Sequence, residues 1–105
     1  MKILLLVLIG LVFVSLCAQQ STQDVQQQAI DACIEECENI ELEEIDIGPC
    51  LFDPIPELPD WVCDIAHDPR QDVDNLPENQ CSAYRDERAK HFVEVDTNCN
   101  LIRAI

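Results

Sequence analysis

The chain has 105 residues, seven cysteines and a formal net charge of -15, which leaves room for one domain at most. Nucleic acid and anionic membrane surfaces are excluded as expected partners, because so acidic a chain is repelled by them. No residue pattern in it matches a named catalytic motif.

The amino terminus reads as a secretory signal peptide over residues 1–18. Lys2 precedes the apolar run Ile3–Leu16, and Cys17-Ala18 offers small residues before the polar stretch Gln19-Gln20-Ser21-Thr22-Gln23. Cleavage is expected between Ala18 and Gln19, with the bond after Cys17 as the alternative. The apolar run is short for a membrane span, which needs about 20 such residues. Leu16 is bulky for lipidation at Cys17. A tethered form facing outward, with an uncleaved amino-terminal anchor, is the other reading of this segment. Export therefore places the protein outside the cell, with no membrane contact after cleavage.

Loss of Cys17 leaves Cys33, Cys37, Cys50, Cys63, Cys81 and Cys99. An even number of cysteines in a short exported chain predicts a disulfide framework. Zinc is disfavoured, since one C-x3-C pair stands alone without a second close pair. Six cysteines allow about 15 pairings. A bond between Cys33 and Cys37 is ruled out by their helical spacing, which puts both on one face. Each is expected to reach a different partner.

Residues 19–23 are expected to be disordered and residues 24–105 to form a single acidic, disulfide-rich domain. From Asp24 to about Ile40, apolar residues at Val25, Ala29, Cys33, Cys37 and Ile40 predict a long helix. Ser21 or Thr22 is the expected cap, and Asp24 suits the first turn. The helix should fade in Glu41–Asp46, where the acids repel one another. Pro49, Pro54, Pro56 and Pro59 argue against helix and most sheet pairing over residues 48–60. Trp61–Ala66 reads as a strand with Trp61 as the main core anchor. Residues 67–77 form a polar loop, and Pro77 opens a second short helix over about Glu78–Ala89, with Cys81, Tyr84 and Arg88 on one side. His91–Val95 and Leu101–Ile105 form a hairpin across an Asx-rich turn. The expected fold is α+β: a small disulfide-stabilised domain with one long amino-terminal helix, a short second helix and a two- or three-stranded antiparallel sheet.

The charge is uneven. Residues 19–60 contain twelve acids and no Lys or Arg, while residues 61–105 contain nine acids and five bases: Arg70, Arg85, Arg88, Lys90 and Arg103. A solvated surface accounts for this asymmetry; a cationic partner is the functional alternative.

Candidate sites are sparse. Asp96, Asn98 and Asn100 alternate like the start of a calcium loop, but Leu101 replaces the required Gly and no Glu closes the loop. A hairpin turn explains them better. Asp72, Asp74 and Glu78 form a second acidic loop that also lacks the Gly. Asp64, His67 and Asp68 have metal-ligating chemistry, though a local hydrogen bond is the simpler reading. Hydrolysis lacks an evident nucleophile, because Ser82 is the only serine after Ser21 and the thiols are expected to be bonded. Asn79-Gln80-Cys81 is a rare glycosylation variant only. No catalytic, cofactor or metal residue is assigned. The expectation is a secreted, non-catalytic binding or surface module for an unknown, cationic extracellular macromolecule, with weak calcium binding as the alternative.

Overall fold

The computed structural model describes residues 22–105. The expected signal peptide and the Ala18–Gln19 cleavage point lie outside the described residues, as do residues 19–21 of the expected disordered start. Helix α1 spans Thr22–Asn39, so Thr22 and Gln23 belong to the helix rather than to a disordered leader. A one-turn helix, α2 (Leu42–Ile45), follows. Next come strands β1 (Cys50–Phe52) and β2 (Trp61–Ile65), then two 3-10 turns at Asp72–Asn75 and Pro77–Asn79. Helix α3 (Ser82–Arg85) is another single turn, and strands β3 (His91–Val95) and β4 (Leu101–Ala104) complete the chain. Among the described residues, no helix is long and apolar enough to cross a membrane.

The four strands form one sheet in the order β1-β2-β3-β4. The outer pairs are antiparallel and the central pair, β2 and β3, is parallel. The domain is thus small and α+β as expected, but the sheet is larger and mixed. Two physical reasons explain the difference. The prolines at 49, 54, 56 and 59 flank Cys50–Phe52 without entering it, so β1 keeps its N–H groups and pairs at the sheet edge. The connection over residues 66–90 is long enough to carry the chain back across the sheet, as a parallel neighbour requires. That crossover also replaces the expected helix over 78–89: only Ser82–Arg85 is helical, after Pro77 opens a 3-10 turn instead. The acidic stretch after α1 likewise does not simply fade, because burial of Ile45 holds one helical turn there.

Helix α1 packs on one face of the sheet. Ala29, Cys33 and Cys37 meet Trp61, Cys63, Ile65, Val93 and Val95 in the main core. Cys33 bonds Cys63 and Cys37 bonds Cys99, while Cys50 bonds Cys81. The two α1 cysteines therefore do point to separate partners. Gln26 adds a tie, its amide donating to the Ala104 carbonyl at 3.2 Å. Trp61 is buried in this core as its anchor and stacks on His91 at 4.7 Å between ring centroids.

Candidate functional site

Side chains alternate along a strand, so Val62 and Asp64 of β2 and Phe92 and Glu94 of β3 project away from α1. The parallel register sets Asp64 beside Glu94 and Val62 beside Phe92. Arg103 of β4 stands opposite Glu94. Part of this second face is closed by the chain around α3, where Cys81, Ala83 and Ala89 pack on Val62. Asp53 holds that segment in place. Its carboxylate accepts from the Ser82 and Ala83 N–H groups at 2.9 and 2.7 Å and from the Ser82 hydroxyl at 2.6 Å.

The uncovered part is a cleft of 340 Å³. Asp64 and Glu94 lie in its wall, with Arg70, Arg85 and Arg103 around them. Tyr84, Phe92 and Gln80 supply the remaining side-chain lining, above the Cys50–Cys81 bridge. Tyr84 meets Phe92 edge-on at 5.0 Å, and the Arg103 guanidinium lies 5.6 Å from the Phe92 ring centre.

Glu94 is buried and paired with two guanidiniums: Arg70 at 3.1 Å and Arg103 at 3.3 Å. Arg70 is itself fixed, donating from Nε to Asn75 Oδ1 at 2.8 Å and to the Asp74 carbonyl at 3.3 Å. Asp64 forms no ion pair among the described residues, and the Arg70 charge and the Ile65 N–H only partly offset its burial. Burial, reinforced by the adjacent Glu94 charge, pushes its carboxyl up to about 8. Its Oδ1 atom is buried without a hydrogen-bond partner. At neutral pH Asp64 is therefore held protonated beside the Arg-paired Glu94. Arg85 forms no ion pair among the described residues.

Of the residues singled out in the sequence, Asp64 lines the cleft and the others fall elsewhere. Asp96 turns inward, accepting from the Asn98 and Asn100 N–H groups at 2.8 and 3.0 Å, which is the hairpin turn expected of that segment. Asp74 is buried and faces the His67 ring at 3.0 Å, while accepting from the His67 and Gln71 N–H groups. Burial opposes its charge, but these hydrogen bonds outweigh it and hold the carboxyl below its ordinary range. His67 thus pairs with Asp74, and Asp64 opens instead to the cleft. Among the described residues, Cys50, Asp53 and Cys81 are the one group of ligating side chains close enough to share an ion, and both sulfurs are in a disulfide. A second hollow of 440 Å³ lies beside Trp61 and His91. His91 there is already engaged, with Asp60 at 3.5 Å and the Ile105 carbonyl at 3.2 Å.

Apart from Asp64, the cleft residues were not among the candidates drawn from the sequence. The alternation in His91–Val95 places Glu94 with Phe92, and that signal was present; the approach of Arg70 from a distant loop was not. Compared with protein-family models, curated proteins and solved structures, the chain matches none.

Proposed function

We propose that the protein is an exported, non-catalytic binding module that receives its ligand in the cleft on the sheet face away from α1. The observation that carries this reading is the cleft itself, walled by Tyr84, Phe92, Asp64, the Arg-clamped Glu94 and an Arg85 that forms no ion pair among the described residues. A concave, partly apolar site with a few converging polar groups is what small-ligand recognition uses.

The chemistry of the wall favours binding over turnover. Both Glu94 oxygens are already engaged, by Arg70 and Arg103. The Ser82 hydroxyl is tied to Asp53, and the six cysteines are bonded. Export is supported by the three disulfides, which persist in oxidising compartments, and by the apolar run at the start of the chain. Weak calcium binding has less support, since Asp74 and Asp96 are already occupied by backbone donors.

The test has two parts. The full chain is expressed in a secreting host, and intact mass of protein in the medium should show a start at Gln19 and three disulfides. Amide NMR of that protein against a fragment library should then give shifts clustered at Asp64, Tyr84, Phe92 and Glu94. Retention in the cell, or hits that avoid these residues, overturns the corresponding half of the reading.

A further inference from the structure

We infer that the cleft recognises a small, singly charged organic carboxylate carrying hydroxyl groups, about the size of one acidic sugar residue, with its acid group on Arg85. The inference rests on the binding-module reading and adds the ligand class.

Three observations converge. The first is charge. Three of the five bases after residue 60 line this one cleft, Arg70 and Arg103 from either side of Glu94 and Arg85 from α3. Two of them already grip a carboxylate, which shows the group this wall accommodates. Arg85 has no acidic partner among the described residues and carries the same forked donor set. The second is the field of the rest of the molecule. With twelve acids and no base over residues 19–60, a long polyanion is repelled before it reaches the cleft. A small monoanion is affected less, because charges beyond about 8 Å are largely screened at physiological salt. The acids around it leave Arg85 without an ion pair among the described residues: Glu94 is held by Arg70 and Arg103, and the neighbouring Asp86 pairs with Arg88. The third is the remaining wall. Tyr84 and Phe92 offer flat apolar surface, while the Asp64 and Gln80 side chains in the lining bring polar groups suited to hydroxyls. The 340 Å³ of the cleft lies at the small end of ligand sites, which run from about 300 to 1,000 Å³. That suits one compact molecule and not an extended chain.

The probes are glucuronate, glucose, glucose 6-phosphate and benzoate, titrated into the oxidised secreted protein and followed by amide NMR. Glucuronate should shift Asp64, Tyr84, Arg85 and Phe92 saturably, and glucose or benzoate should bind at least about tenfold more weakly, as loss of one charge-assisted contact or of the hydroxyl contacts implies. Arg85→Gln, which keeps a side chain of similar reach, should weaken glucuronate by about tenfold or more. Lys90→Ala, which removes a positive charge outside the cleft, should leave it unchanged. Equal binding of glucose, stronger binding of the phosphate dianion, equal binding of benzoate, or an Arg85→Gln variant that binds normally each overturns the ligand class. If library fragments shift the cleft residues while glucuronate does not, the ligand class fails and the binding module stands. If neither does, both fail.

Discussion

On the α1 side of the sheet, alternate positions of β2 and β3 hold Cys63, Ile65, Val93 and Val95, all buried in an apolar core crossed by two disulfides. On the other side, the intervening positions hold Val62, Asp64, Phe92 and Glu94, and only part of that face is covered. The same two strands thus carry a face that stabilises and a face that spends stability. The first removes apolar surface from water at about 25 cal/mol per Å². The second keeps one carboxylate between guanidiniums and a buried acid with one oxygen unpartnered. In so small a domain, with four aromatic residues after residue 18, cross-links make such a polar face tolerable.

The disulfides allow a controlled comparison of the faces. Cys33–Cys63 and Cys50–Cys81 span 30 and 31 residues, so their effects on the unfolded chain are matched. Cys33 and Cys63 are fully buried, whereas Cys50 is partly exposed. Replacing both Cys33 and Cys63 by Ala should cost about 2–5 kcal/mol in guanidinium unfolding, more than the Cys50→Ala, Cys81→Ala pair. Equal losses would dissolve the distinction between the faces.

Gly48 tests the support behind the cleft. It has φ +70, and a Cβ there would collide with the Asp74 carboxylate. Gly48→Ala should lower stability by roughly 3 kcal/mol, since it adds backbone strain to displacement of a buried acid. Chemical shifts of His67 and Arg70 should change with it.

Asp64 should act in the opposite direction. Its folded carboxyl titrates at about 8, far above the ordinary 3.8. Between those two values the folded state holds a proton that the unfolded chain has lost, so stability declines as pH rises across that window. Asp64→Asn should remove the decline and raise stability at pH 7 by about 2 kcal/mol. An unchanged pH profile from pH 4 to 8 would refute the buried, protonated acid.

Asp53 gives the smallest effect. Burial opposes its charge, but together the hydrogen bonds from Ser82 and Ala83 and the Arg88 charge outweigh it and hold its carboxyl below the usual range. Its stabilisation is present above the unfolded value of 3.8 and is lost as pH falls through the lower folded value. Asp53→Asn should cost about 1 kcal/mol at pH 7, as removal of a helix cap does, and the gap from the parent should close in acid.

Much of the local structure is legible in the letters. The spacing of Val25, Ala29, Cys33 and Cys37 is seen again in the α1 face that meets the sheet. The β-branched and aromatic runs at 61–65 and 91–95 are strands within a residue of expectation. The helical spacing of Cys33 and Cys37 already required two separate partners, and they have them. These features come from interactions between residues close in sequence, where periodicity and backbone sterics decide the outcome. Which cysteine each one meets, that β2 and β3 run parallel, and that Arg70 and Arg103 converge on Glu94 depended on the path of residues 66–90 across the sheet. No local pattern encodes that path, because it is set by which distant apolar and charged groups can be satisfied together once the chain has closed on itself.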